Sequence, residues 1–182
     1  PDQIETEIDL MLDMIRETYA GFGLSDFYVR ISLRDSTNKE KYIGSDAVWN
    51  TAENALRSIV KKTGWKYTEA EDEAAFYGPK LDFMFKDAIG RQWQLSTIQL
   101  DFNLPERFEL DYITEANEKE RPVVIHRAVL GSTERFMGVM IEHFAGSFPV
   151  WLSPVQVKVL PISEKYAEYA QTVVDALEKY NI

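Results

Sequence analysis

Apolar residues recur at the spacings of helices and strands through the first third of the chain. From about residue 3 to residue 20 they lie three or four positions apart, which predicts a helix with one apolar side and an acidic outer side. Residues 27–33 alternate apolar and polar side chains, which predicts a strand with one buried face. After a polar loop at 34–45, a second apolar stripe predicts a helix that is capped by Asp46 and ends at Gly64.

Two further alternating segments, residues 80–86 and 91–101, flank a turn at 87–90 and predict an antiparallel hairpin. Strict alternation in the second segment places Gln94 on the face opposite Gln99, and neither face is purely apolar. Polar side chains on a central strand need partners, because an unpaired buried amide costs about 1–3 kcal/mol. The pattern leaves two kinds of partner open, a ligand or the side chains of a neighbouring strand.

Residues 106–121 are strongly charged and predict an exposed excursion. Residues 122–146 then combine a β-branched run, a break at Gly131 and Ser132, and an almost entirely apolar segment, which predicts a strand, a turn and a helix. Ser132 is the expected N-cap. Arg135 falls in the first helical turn, where a positive charge opposes the helix dipole by roughly 0.3–1 kcal/mol. Either an anionic ligand or a nearby carboxylate would explain this arginine.

Residues 147–154 contain two prolines and predict a linker, so we place a domain boundary between residues 148 and 149. Beyond the linker, alternating apolar residues predict a strand at 155–162, and Ser163 is expected to cap a helix. One strand and one helix cannot close a hydrophobic core by themselves. We therefore predict one main domain at 1–148 and only the beginning of a second domain at 149–182.

Composition and charge restrict the classes of function. The chain has 182 residues with 20 basic against 30 acidic side chains, and its net charge of −10 disfavours loose electrostatic binding of nucleic acid. It has no cysteine, which excludes disulfides and thiolate metal sites, and we expect a cytoplasmic protein. No apolar run approaches the roughly 18–20 residues of a membrane span, so we expect no membrane partner. Because the chain begins on Pro1 and stops just after a helix, we expect a fragment.

Three segments carry a family resemblance: residues 76–80 (FYGPK), 93–102 (WQLSTIQLDF) and 126–136 (HRAVLGSTERF). In this order they resemble the bacterial threonyl-tRNA synthetases, a family of class II aminoacyl-tRNA synthetases, and the similarity spans effectively the whole chain. The resemblance implies an α+β fold, with an antiparallel sheet and flanking helices that form the C-terminal half of the catalytic domain. The start of an α/β anticodon-binding domain would follow.

The resemblance also implies an activity. The family activates threonine with ATP and Mg²⁺ to threonyl-adenylate and transfers the threonyl group to tRNA(Thr), and the full-length enzyme is a homodimer. Lys80 and Arg135 would be catalytic, with Arg135 contacting the ATP phosphates. The implied ATP-binding residues are Gln94, Gly131, Ser132 and Arg135, and the implied walls of the threonine and acyl-transfer pocket are Tyr77, Thr97 and Gln99.

Several of these residues also have an ordinary structural interpretation. Lys80 alone would be interpreted as a surface lysine paired with Asp82, whereas the resemblance places its charge beside the acyl phosphate. His126 alone would be a satisfied core histidine, whereas the resemblance makes it one of three zinc ligands in a site that recognises the threonine hydroxyl. Because alternation puts Gln94 opposite Gln99, its role requires a β-bulge or a strand that is used on both faces.

The chain departs from the family at several other functional positions. The remaining zinc ligands of the family, a cysteine and a histidine, have no counterpart here, and the other histidine of the chain is His143 in the predicted helix of residues 122–146. The first signature motif and the arginine of the second are also missing. One ligand does not hold zinc, so we expect the fragment to lack zinc and to be inactive by itself. The alternative is a non-catalytic, synthetase-derived binding or regulatory module.

Overall fold

The computed structural model describes residues 2–38 and 40–181, so Lys39 of the predicted polar loop lies outside the described residues. The chain divides into two compact units, one up to Val139 and one from Met140 onward. The predicted domain boundary between residues 148 and 149 stays a prediction. No helix among the described residues is both long enough and apolar enough to cross a bilayer.

The first unit alternates helices and strands in its first half and is mainly strands afterwards. Its first elements are α1 (Ile4–Gly21), β1 (Phe27–Ser32), α2 (Asp46–Thr63), β2 (Tyr67–Ala70), β3 (Lys80–Lys86) and β4 (Gln92–Asp101). They are followed by α3 (Asn103–Arg107), β5 (Tyr112–Ile113), β6 (Lys119–Glu120), β7 (Val124–Ala128) and α4 (Thr133–His143), which continues past the division.

A five-stranded sheet in the order β2-β1-β3-β4-β7 organises this unit. The pairs β1–β3, β3–β4 and β4–β7 are antiparallel, which confirms the predicted hairpin, while β2 runs parallel to β1. The strands β5 and β6 form a separate two-stranded ribbon within the predicted excursion, and both are exposed. The order places β4, which carries Gln94, Thr97 and Gln99 of the predicted site, between β3 and β7.

One face of the sheet is apolar and packs against α1. The ring of Tyr19 on α1 meets Phe27 and Phe83 edge-on, with centroids 5.2 and 6.1 Å apart. The fully buried residues of this core include Ile8 and Ile15 from α1, Leu56 and Ile59 from α2, and Val29, Ile31, Leu81, Ile98 and Leu100 from the sheet. Since alternate residues of each strand point to the opposite face, the polar residues between them lie on the other side of the sheet.

The cap of α2 differs from the prediction. Ser45 has extended backbone angles and its hydroxyl accepts a hydrogen bond from the backbone N–H of Val48 at 3.4 Å, so Ser45 is the cap and Asp46 is the first helical residue. A carboxylate in the first turn still favours the helix dipole. The predicted stop is confirmed, because Gly64 follows the helix in the left-handed conformation with φ 70°.

The second unit contains α5 (Ala167–Glu178) and two short 3₁₀ turns, Val150–Leu152 and Glu164–Tyr166. The predicted strand at 155–162 is wrong, because the structure has no strand there. Alternating apolar residues favour extended backbone, but a strand needs a neighbouring strand for its hydrogen bonds, and Leu160 and Ile162 are 82% and 97% exposed. Ser163 makes no side-chain cap, and it precedes a 3₁₀ turn rather than the helix itself.

Candidate functional site

A β-bulge in β4 brings the polar side chains of the predicted site to one face of the sheet. Thr97 lies opposite Asp82 on β3, but Gln94 lies opposite Met84, so β4 carries one more residue than β3 over this interval. An extra residue reverses the alternation of side chains. Gln94 therefore shares a face with Thr97 and Gln99, which confirms the bulge and corrects the face that strict alternation assigned to Gln94.

Tyr19 on α1 forms hydrogen bonds with the bulge. Its hydroxyl accepts a hydrogen bond from the backbone N–H of Ser96 at 3.2 Å and lies 2.8 Å from the Ser96 Oγ, which donates to the carbonyl of Val129. Burial raises the pKa of Tyr19, although the hydrogen bonds with Ser96 act in the opposite direction. The bulge is thus held from the apolar side of the sheet.

Replacing Tyr19 with phenylalanine is expected to destabilise the chain by about 1–3 kcal/mol, because the buried N–H of Ser96 loses its acceptor. Urea unfolding of the purified chain measures this change. Tyr67→Phe is the matched control, since Tyr67 is exposed on β2 and should unfold at the wild-type midpoint. An unchanged midpoint for Tyr19→Phe would show that the bulge does not depend on this hydroxyl.

Asp82 lies at the centre of the polar face and has no exposed surface. Its Oδ1 accepts hydrogen bonds from Gln94 Nε2 at 2.7 Å and Thr97 Oγ1 at 3.0 Å. Its Oδ2 accepts from Ser32 Oγ at 2.7 Å, Lys80 Nζ at 3.0 Å and Arg30 Nη2 at 3.2 Å. Three predicted site residues, Lys80, Gln94 and Thr97, therefore meet at one buried carboxylate.

The position of Lys80 combines parts of both earlier interpretations. It does pair with Asp82, as the ordinary interpretation requires. However, the side chain of Lys80 is only 18% exposed and its partner is fully buried, so this pair is not a surface salt bridge. The ammonium group lies on the polar face with Thr97, where it can act on a bound anion.

A second buried carboxylate, Asp101, organises the end of β4. Its Oδ1 accepts hydrogen bonds from the backbone N–H groups of Asn103 and Leu104, both at 2.9 Å, and so caps the following turn. Its Oδ2 lies 2.9 Å from Nε2 of His126 on β7. The side chain of His126 is 40% exposed and has a carboxylate partner, so His126 is not a core histidine.

Tyr77 and Gln99 lie beside His126. Tyr77 donates its hydroxyl hydrogen to Oε1 of Gln99 at 2.8 Å, and Gln99 pairs directly with His126 across β4 and β7. The Tyr77 ring meets the His126 ring edge-on at 5.4 Å. Burial, and then the charge of Asp101, raise the pKa of the Tyr77 hydroxyl. Tyr77 therefore stays a neutral hydrogen-bonding group near neutral pH.

The turn before α4 brings Arg135 to the same site. The backbone N–H of Arg135 donates to the Ser132 hydroxyl at 3.2 Å, which confirms Ser132 as the cap. The guanidinium donates from Nη1 to the carbonyl oxygen of Gln94 at 3.0 Å and forms no ion pair with any described residue. Gly131 has φ +70°, and a Cβ there would lie 2.5 Å from the carbonyl oxygen of Leu95, so only glycine fits. A nearby carboxylate thus does not explain Arg135.

The described residues do not form a complete zinc site. Within residues 2–38 and 40–181, no group of three or more histidine, cysteine, aspartate or glutamate side chains is placed to hold a metal ion. His126 has one carboxylate neighbour, Asp101, which contacts its Nε2. Two such groups do not supply the three protein ligands of a catalytic zinc ion. That the chain by itself lacks zinc stays a prediction.

Comparison with protein families identifies this arrangement. Residues 1–144 match the model of the tRNA synthetase class II core domain (G, H, P, S and T). The chain belongs to the class II aminoacyl-tRNA synthetases. The resemblance to threonyl-tRNA synthetases is also confirmed, since the chain is 56% identical over 173 residues to the threonine–tRNA ligase of Bacteroides fragilis and 54% identical over 182 residues to that of Bacteroides thetaiotaomicron.

The class II synthetase chain is shorter than these relatives. The two alignments cover 95% and 100% of this chain, but only 27% and 28% of the lengths of the two relatives. The RNA-binding domain of threonyl-tRNA synthetase from Cryptosporidium parvum Iowa II has a similar structure, with a TM-score of 0.89 and 44% identity. That alignment covers 99% of this chain and 44% of the other chain.

The predicted site residues of this synthetase chain gather in two groups, one around Asp82 and one around Asp101, which adjoin where Lys80 pairs with Gln99 across β3 and β4. Gln94 links the Arg135 turn to the group around Asp82, and Gln99 belongs to the group around His126 and Asp101. Neither Asp82 nor Asp101 was predicted as a site residue. An available signal was that each is a lone acidic residue in a strand whose immediate neighbours include large apolar residues, where a carboxylate must be paired.

Proposed function

We propose that this chain is the C-terminal part of the catalytic domain of a threonine–tRNA ligase. The whole enzyme would activate threonine with ATP and Mg²⁺ and transfer the threonyl group to tRNA(Thr). The observation that carries this proposal is the polar face of the sheet, where residues implied by the family resemblance are joined by hydrogen bonds around Asp82, Asp101 and His126.

The ATP side of the site would be the turn from Gly131 to Arg135. Backbone N–H groups at the start of α4 and a guanidinium that has no carboxylate partner among the described residues favour an anion, because charge-assisted hydrogen bonds and the helix dipole act together. Gly131 lets the turn pass close to β4. The side chain of Gln94 lies on the polar face and its carbonyl oxygen holds Arg135, so it would border the nucleotide.

The threonine side would be formed by Tyr77, Thr97, Gln99 and His126. These side chains offer hydroxyl, amide and imidazole groups, which suit the ammonium and hydroxyl groups of a small polar amino acid. A site that engages a hydroxyl rejects the isosteric valine, because polar groups are left unpaired when the hydroxyl is missing. In the whole enzyme a zinc ion would supply that recognition, and His126 would be its ligand from this chain.

The remaining assignments concern the whole protein. Residues 149–182 would begin the anticodon-binding domain, and the enzyme would be a cytoplasmic homodimer. The net charge of −10 requires that contacts with tRNA be confined to local basic groups. The similarity to an RNA-binding domain of threonyl-tRNA synthetase supports tRNA as a partner.

Exchange of pyrophosphate into ATP tests the proposal. We expect the full-length protein that contains this chain to catalyse exchange that depends on threonine and not on valine, and we expect the isolated chain to catalyse none. Full-length protein without threonine-dependent exchange would favour a non-catalytic binding module. A measurable rate from the isolated chain would contradict the need for residues outside it.

A further inference from the structure

We propose that Asp82 is a positioning residue that sets the orientation of Lys80 and Thr97 for the reaction. This inference rests on the proposed function and adds to it a residue that does not itself touch the substrates. Asp82 is fully buried, whereas Lys80 and Thr97 retain some exposure on the polar face. The carboxylate can therefore act only through the groups that it binds.

The hydrogen-bond acceptor sites of Asp82 are all occupied. Five donors from β1, β3 and β4 surround its two oxygens at 2.7–3.2 Å. A carboxylate has about four lone-pair sites, so five donors saturate it. Saturation fixes each donor relative to the others, because none can move without losing a charge-assisted bond. The three central strands are thus tied together at the residues that line the site.

The charges around Asp82 show why Lys80 is oriented without being fully neutralised. Two cations, Lys80 and Arg30, share this one buried carboxylate. Arg30 has a second partner, Glu73, but that contact is longer, at 3.7 Å, and Glu73 is 52% exposed. Because the carboxylate is shared, the ammonium group of Lys80 keeps part of its charge available for an anionic group on the open face.

Asp82 also controls Thr97. The Thr97 hydroxyl contacts Asp82 Oδ1 at 3.0 Å and Gln94 Nε2 at 2.9 Å, and Gln94 Nε2 in turn donates to the same oxygen at 2.7 Å. An amide at position 82 would replace one oxygen with an NH₂ group that faces two or three other donors. Lys80 would lose its acceptor if the NH₂ group took the place of Oδ2, and Thr97 would lose its acceptor if the NH₂ group took the place of Oδ1.

The test is a double-mutant cycle in the full-length protein, with threonine-dependent exchange as the readout. Asp82→Asn is expected to lower kcat by about 10- to 100-fold, the range for residues that orient a reactive group. Lys80→Ala removes the group that is positioned. The double variant should be at most about threefold slower than Lys80→Ala, because the effects of two residues that act together are not additive.

Asp87→Asn is the matched control. Asp87 is a second carboxylate of the same hairpin, with a side chain only 5% exposed, and it accepts hydrogen bonds from Arg91, Trp93 and the N–H of Ile89 at the far end from the site. Its replacement should lower the unfolding midpoint while the exchange rate stays at the wild-type value. If Asp82→Asn does not fold, Asp82→Glu keeps the charge, displaces it by one methylene, and should show the same coupling to Lys80.

Two kinds of failure give different results. A folded Asp82 variant with the wild-type rate, or one whose loss multiplies with that of Lys80→Ala, would overturn the positioning role while the wild type remains active. A wild type without threonine-dependent exchange would overturn the proposed function and this inference with it. The proposal is supported if Asp82→Asn lowers the exchange rate non-additively with Lys80→Ala and Asp87→Asn does not lower it.

Discussion

Replacing Arg135 with alanine is expected to lower kcat/KM for ATP in threonine-dependent exchange by about 10²–10³-fold. This range is typical of removing one preorganised donor to a reacting anion. Arg135 has no carboxylate partner among the described residues, and its guanidinium is held by the carbonyl of Gln94 at 3.0 Å. Its charge is therefore available for a phosphate. Stability should change by less than about 0.5 kcal/mol, because the side chain is exposed.

Arg107→Ala serves as the control for this prediction. Arg107 is also exposed and lies in the last turn of α3, where removing its charge should leave exchange unchanged. Steady-state exchange at varied ATP concentration separates a loss in ATP binding from a general loss of active protein. Equal rates for Arg135→Ala and the wild type would remove Arg135 from the nucleotide site.

Local patterns in the sequence predict much of this fold. The alternation at 80–86 and 91–101 predicts the hairpin because both strands and their turn are close in sequence. The parallel pairing of β2 with β1 could not be predicted, since it depends on where the intervening helix places the chain. The failed strand at 155–162 has the same cause, because alternation indicates extended backbone but does not supply a neighbouring strand.

The candidate site was also predicted only in part. The family resemblance implied the residues of the polar face, and the alternation at Gln94 required either a β-bulge or a strand used on both faces, of which the structure has the bulge. The buried carboxylates Asp82 and Asp101 were not predicted as site residues, because their burial depends on three strands that meet only in the folded protein. The role of Tyr19 was hidden as well, since its contact with Ser96 joins residues 77 positions apart.

Replacing Gly78 with alanine is expected to destabilise the chain by about 2–4 kcal/mol and to abolish exchange in the full-length protein. A Cβ at this position would lie 2.1 Å from the carbonyl oxygen of Leu100, which is backbone and cannot rotate away. The same segment is fixed to β4 by the hydrogen bond from Leu100 N–H to the Pro79 carbonyl at 3.1 Å. Relief of the clash would therefore displace Tyr77 and Lys80, which flank this segment.

Gly138→Ala provides the opposite expectation in the same chain. Gly138 lies within α4, and a Cβ there meets nothing within 4 Å, so alanine should stabilise by about 0.5–1 kcal/mol through its higher helix propensity. Urea midpoints of the two variants should move in opposite directions from the wild type. A Gly78→Ala variant with the wild-type midpoint would mean that β4 can yield at Leu100, and that the close backbone contact does not hold Tyr77 and Lys80 in the site.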